Sequence, residues 1–177
     1  MKAIMISISS QYIEKILNGG KTIEIRKTMP KCELPCKVYI YRTKGKKLYK
    51  CVSNFDEDLL NGKVVAEFTL NKVDTLERDL NDWLPKNRYD VSNDLLKNIN
   101  LNQNELWNYG QGKTLYAWHI DDLKVYDKPK LLQVFFRPCG DCDKKDTDRC
   151  IYEDSYCRAK VIRPPKSYCY VEELGNE

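Results

Sequence analysis

Lys21, Thr22, Glu24 and Arg26 stand within six residues of one another, directly after the pair Gly19-Gly20. Arginine presents a planar fork suited to a phosphate or a base edge, and lysine is a compact point charge. A carboxylate between them can hold both cations in place or accept from an exocyclic amine. If the segment is a strand, Thr22, Glu24 and Arg26 share one face while Ile23 and Ile25 take the other. One face is then core. The opposite face is a charged cleft with Lys21 at its mouth, expected to leave Lys21 and Arg26 partly exposed. The plainer alternative is a strand-surface ion pair of Glu24 with Arg26 or Lys21, which contributes little energy.

A second constellation is Cys139, Cys142, Cys150 and Cys157, spaced C-x2-C-x7-C-x6-C. The first pair has the knuckle spacing that lets two thiolates grip one tetrahedral metal. Asp141, Asp143, Lys144, Lys145, Asp146, Asp148 and Arg149 lie between the cysteines. So polar a stretch cannot build its own core, and a metal clip would order it. The expected cofactor is structural zinc, because four thiolates leave no open position for water. Free thiols, a disulfide and iron–sulfur ligation are the alternatives. Cys32, Cys36, Cys51 and Cys169 read as small packed hydrophobes, with Cys169, on a strand, the substitute ligand should one of the knuckle four be replaced.

Aromatic residues supply a third element. Tyr39, Tyr41, Tyr109, Tyr116 and Trp118 offer stacking surfaces for an unpaired base. Arg42, Lys44, Lys46 and Lys47 add positive charge after the third strand. Most of the twelve tyrosines must nevertheless be core or half-buried. His119 is the only histidine. Alternation sets it on the face of Ala117, opposite Trp118, where a structural role is the ordinary one. No Ser-His-Asp arrangement stands out, and Gly110-Gln111-Gly112-Lys113 lacks the length of a phosphate loop.

The elements that must position these groups are short. Residues 3–8 read as a first strand, followed by a helix through Asn18 with Tyr12, Ile13, Ile16 and Leu17 on one face. Gly19-Gly20 stops it. Strands follow over 22–28, 37–42 and 63–75, with a Lys-rich loop or hairpin over 43–61. Residues 77–113 are helical and irregular, with Asn102 and Glu105 spaced as a capping box. Further strands cover 115–120 and 123–126. Pro129 breaks the chain before residues 131–136, and 167–171 form a closing strand. Short strands with few long helices give a mixed α+β domain.

Gly19, Lys21, Glu24 and Arg26 match in register the Gly-x-Lys-x-x-Glu-x-Arg signature of the ASCH family, a branch of the PUA-like β-barrels, which the chain resembles. The run at 39–45, the strand opening Gly62-Lys63-Val64-Val65 and the run Ser167 to Glu173 also look like bacterial and phage ASCH proteins. The resemblance implies a small mixed β-barrel with flanking short helices. The expected layout is an ASCH/PUA-like domain over 1–136, a cysteine-rich knuckle over 137–160 and a closing strand with tail over 161–177.

Function follows from the same resemblance and from charge. Residues 1–55 hold twelve Lys or Arg against three Glu, a local +9 within a net +4. Such asymmetry suits a polyanion. The favoured expectation is an RNA- or nucleotide-binding module using Lys21, Glu24, Arg26, Tyr41, Lys44, Tyr109 and Tyr116. Two alternatives stand beside it. One is an enzyme of the same fold. Some PUA-like relatives hydrolyse N4-acylated cytidine with a Lys-activated Thr. Here Lys21 matches, Glu24 stands at the nucleophile position, and Thr22 is the substitute. Ribonuclease chemistry would draw on Lys21, Tyr41 or Ser167. The other alternative is a protein-interaction module built on the zinc knuckle. The apolar runs are too short for an export signal or a membrane span, and eight cysteines without an export signal suit a reduced cytoplasm.

Overall fold

The structure is a computed structural model that describes residues 2–45, 60–80, 87–138 and 160–175. The cysteine knuckle, Cys51, Lys46 and Lys47 lie outside these residues. In chain order the elements are β1 (Lys2–Ile8), α1 (Ser10–Leu17), β2 (Ile23–Arg26), β3 (Cys36–Arg42), β4 (Val64–Leu70), β5 (Val73–Leu76), α2 (Asn93–Ile99), α3 (Gln103–Gly110), β6 (Leu115–His119), β7 (Asp121–Lys130), a 3-10 turn (Leu132–Val134) and β8 (Tyr168–Glu172). The chain divides into two compact units. Unit 1 is Met1–Glu14, Cys36–Phe68 and Lys124–Glu177; unit 2 is Lys15–Pro35 and Thr69–Leu123.

Unit 1 is built on a five-stranded sheet of order β7-β4-β3-β1-β8. β1 runs parallel to β3 and antiparallel to β8, with Ile6 opposite both Ile40 and Tyr168. The sheet is therefore mixed. The strand expected over 167–171 forms one residue later and pairs with β1. One face of the sheet packs a cluster of Ala3, Met5, Tyr39, Tyr41, Val64, Phe135 and Val171, with the neighbouring Leu132 and Val161. Burying an aliphatic or aromatic side chain of this kind stabilises by about 1.5–3 kcal/mol. Tyr39 meets Phe135 edge to face at 4.8 Å, and its hydroxyl accepts a hydrogen bond from the Leu174 amide at 2.9 Å.

Unit 2 holds a three-stranded antiparallel sheet of order β2-β6-β5. Ile23, Ile25, Leu76, Leu115 and Ala117 from the sheet pack with Tyr89, Ile99 and Leu106. Both helices are capped by sequence-local chemistry. The Ser92 hydroxyl accepts from the Leu95 amide at the start of α2. Asn102 and Glu105 form the expected capping box at α3, each side chain accepting from the other's amide at 2.9 and 2.8 Å. Gly110 ends α3 where there is no room for a side chain: a Cβ there would lie 1.8 Å from the Tyr89 hydroxyl. That hydroxyl donates to the Lys113 carbonyl at 2.7 Å.

Three expectations need correction. Among the described residues the strands form two sheets and not one closed barrel. The run expected as one strand over 63–75 is two strands, β4 and β5, in different sheets, with the polar pair Asn71-Lys72 between them. Pro129 does not break the chain but lies inside β7. Among the described strands β7 is the edge of its sheet, where one side of the backbone needs no ladder bonds and proline is tolerated.

Candidate nucleic-acid interface

The loop before β2 is tied to the end of α2. Gly19 adopts φ +76°, a left-handed conformation that suits glycine, and the Lys21 amide donates back to the Lys15 carbonyl at 2.7 Å. Asn100 caps α2 in the left-handed region, accepts from the Lys15 ammonium at 2.7 Å and donates to the Gly20 carbonyl. The Thr22 amide donates to the Asn98 carbonyl at 3.0 Å. The last carbonyls of a helix have no partner within it. Here Lys21 and Thr22, in the loop after α1, supply partners for two of them.

Lys21 belongs to this capping set. Its ammonium donates to the Ile99 and Ile23 carbonyls, both at 2.7 Å, and stands 3.5 Å from Glu24 Oε2. A cation at the C-terminal end of a helix is favourably placed. The other oxygen of Glu24 stands 3.3 Å from Arg26 Nε, so one carboxylate bridges both cations. Lys21 is only 3% exposed and Arg26 6%, which corrects the expectation that both stand partly open. Burial lowers the Lys21 pKa below its ordinary 10.5, and the charge of Glu24 pulls the other way. Alternation correctly sets Ile23 and Ile25 toward the core, but a strand pattern cannot reveal a carbonyl 78 residues away in sequence.

Register across the sheet places Glu24 opposite Trp118 and Arg26 opposite Tyr116. These four share one face of the sheet. Trp118 is fully buried and offers no stacking surface, whereas Tyr116 is half-buried. Tyr109, near the end of α3, is 38% exposed. Burial raises its pKa, with Arg26 pulling it down and Glu24 pushing it up. Tyr109 thus stands in the field of both charged groups. The ammonium of the exposed Lys27 lies 4.8 Å from the Tyr109 ring centre, a cation–π contact. Lys27 had no role in the sequence reading. Its only signal was adjacency to Arg26 at the end of a strand.

Unit 2 therefore gathers Lys21, Glu24, Arg26, Tyr109 and Tyr116. Tyr41 and Lys44 belong to unit 1, where both line a cavity of about 390 Å3 with Thr43, Leu131, Ile162 and Pro164. Tyr41 is 2% exposed, too little for a base to stack on it. Tyr39 is fully buried. Arg42 is buried at the end of β3. The Ser167 carbonyl accepts from the Ser7 amide at 3.1 Å.

His119 lies on the face of Ala117, as alternation places it, and its Nε2 is 2.7 Å from Asp74 Oδ2. The Lys72 ammonium approaches the other Asp74 oxygen at 2.9 Å. Burial pushes the Asp74 carboxyl up, but hydrogen bonds from Lys72 and His119 outweigh it and hold the group below its ordinary 3.8. This arrangement satisfies His119 structurally. Among the described residues no cluster of three His, Cys, Asp or Glu side chains could hold a metal ion. No helix among them is long and apolar enough to cross a membrane.

No protein-family model matches the chain, and no curated protein is similar enough to count as a relative. Solved structures do resemble it. The ASCH protein from Zymomonas mobilis aligns at 18% identity over 73% of each chain, with a TM-score of 0.48. A serine-to-alanine mutant of that protein aligns at 15% identity over 97% of this chain and 89% of the other, with a TM-score of 0.52. Identities this low speak to fold alone. Together with its mixed sheets and short helices, the likeness shows that the chain has an ASCH-like α+β fold.

Proposed function

We propose that this protein binds RNA or a nucleotide through the Tyr109–Lys27 surface of unit 2. The observation that carries the reading is an exposed tyrosine ring with an ammonium at 4.8 Å, in the field of Glu24 and Arg26. An aromatic face stacks any base, and an adjacent cation meets the phosphate next to it. Arg26 adds positive potential from behind, and Glu24 accepts from a base amine or holds Arg26 in place. Tyr116, opposite Arg26, forms the side of the surface. Lys21 serves as a scaffold and not a direct ligand, because two backbone carbonyls hold its ammonium at 2.7 Å. The basic excess of residues 1–55 supplies long-range attraction to a polyanion.

Binding is preferred to hydrolysis on the same geometry. A Lys-activated hydroxyl needs the amine directed at it, and this amine is directed at Ile23, Ile99 and Glu24. The four knuckle cysteines are proposed to hold one structural zinc, which suits a reducing cytoplasm. The test is titration of a short single-stranded RNA against the parent protein, Tyr109→Ala and Lys27→Ala. Loss of the tyrosine face should weaken binding by about 1–3 kcal/mol. Loss of Lys27 should lower the salt slope by roughly 0.7. Parent-like affinity and salt dependence in both variants would remove the reading.

A further inference from the structure

Unit 1 carries a charged concavity of its own. It is a cavity of about 260 Å3 lined by Lys37, Glu67, Lys124, Tyr126, Lys130 and the chain at Leu174-Gly175. Its side chains come from the adjacent strands β3, β4 and β7. Lys124, Tyr126 and Lys130 are an even number of residues apart, so alternation sets them on one face of β7. Tyr126 packs at the margin of the apolar cluster of this unit, so the cavity lies where the core gives way to polar groups.

Among the described residues that line it, the charges do not cancel: three ammonium groups face one carboxylate. Glu67 is already engaged: Tyr126 donates to its Oε2 at 2.5 Å, and Lys37 stands 3.9 Å from its Oε1. Burial, followed by the hydrogen bond and charge of Glu67, pushes Tyr126 far up, so the phenol keeps its proton and remains a donor. Lys130 lies 5.2 Å from the Tyr126 ring centre. Among the described residues neither Lys124 nor Lys130 has a carboxylate within ion-pair distance.

We propose that this cavity is a binding site for a phosphate group. A phosphate dianion matches the surplus of two positive charges that three lysines and one glutamate leave, whereas a carboxylate would balance only half of it. Lysines on two different strands surround the group from separate sides, and as point charges they suit phosphate without demanding one orientation. Glu67 sets the spacing, drawing Lys37 inward and fixing the Tyr126 hydroxyl. The volume admits a phosphate with its waters or a small phosphate ester.

The experiment follows lysine and tyrosine side-chain resonances of the full chain by NMR. Inorganic phosphate is titrated against chloride at matched ionic strength, and a short RNA without terminal phosphates is titrated separately. Phosphate should give saturable shifts at Lys124, Tyr126 and Lys130 that chloride does not. Lys124→Ala combined with Lys130→Ala should weaken binding by about tenfold or more. Glu67→Gln, which removes the one negative charge and keeps the shape, should tighten it several-fold. The Tyr109→Ala variant should bind phosphate as the parent does, which separates this site from the RNA-binding reading. Shifts with RNA alone would support the phosphate site and assign its source to the nucleic-acid backbone. The proposal fails if neither probe shifts these residues, if chloride matches phosphate, or if the folded double variant binds undiminished.

Discussion

Replacing Lys21 by Met tests whether this residue is scaffold or ligand. Methionine keeps much of the stem but has no donor for the Ile99 and Ile23 carbonyls, each now at 2.7 Å from the ammonium. An unsatisfied buried acceptor costs about 1–3 kcal/mol. Removing a buried charge returns part of that cost, and freeing Glu24 from one partner adds to it. The net loss should be about 2–4 kcal/mol, a large share of the roughly 5–15 kcal/mol that stabilises a typical domain. The assay is urea unfolding followed by circular dichroism, comparing midpoints at constant slope. Lys27→Met, at an exposed position, is the control and should change stability by less than about 0.5 kcal/mol. There is also a pH signature. Burial lowers the Lys21 pKa, so between that value and 10.5 the unfolded chain holds more protons than the folded one. Stability from this group therefore rises with pH across that window. A neutral amine still has two N–H groups for the two carbonyls, so deprotonation does not undo the cap. Lys21→Met should abolish the rise. An unchanged midpoint in Lys21→Met, with RNA binding lost, would refute the scaffold role and make Lys21 a ligand.

Four further outcomes follow from the same structure. Gly110→Ala should destabilise by about 1–3 kcal/mol or more in thermal unfolding, because its Cβ would collide with Tyr89 at the end of α3. At high pH, Tyr39 should contribute stability in full below its ordinary 10.0 and lose it as pH rises toward about 12, where burial has moved it. Tyr39→Phe should therefore flatten alkaline unfolding in that window. At low pH, the depressed Asp74 contributes stability that is lost as pH falls below 3.8 through its folded value, so Asp74→Asn should shrink the acid-side decline. Elemental analysis of reduced protein should find one zinc per chain. Replacing Cys139 and Cys142 by Ser should lower that content, and a metal-free parent would end the zinc proposal.

What the sequence shows of this molecule is its local physics. The capping box of Asn102 and Glu105, the glycine stop after α1 and the alternation that buries Ile23 and Ile25 are short-range effects, and each appears in the structure. The split of β4 from β5 was not legible, because alternation continues on both sides of Asn71-Lys72 while the strands join different sheets. The place of Pro129 depends on which strand is an edge, and that is a property of the assembled sheet. The candidate site shows the same limit. The charged set was visible by residue type, but the helix end that claims Lys21 and the tyrosine that faces Lys27 come from distant segments. The pairing of His119 with Asp74 spans 45 residues and left no local trace. The three lysines of the unit 1 cavity lie on two strands that meet only through β4.

The proposed RNA binding requires a base to stack on Tyr109. Ultraviolet cross-linking of a short single-stranded RNA to the parent chain, with adducts mapped by mass spectrometry, tests it most directly. An adduct on Tyr109 or on the adjacent Lys27 is expected, abolished by excess unlabelled RNA. Competed adducts found only in unit 1, with none on these residues, would contradict it.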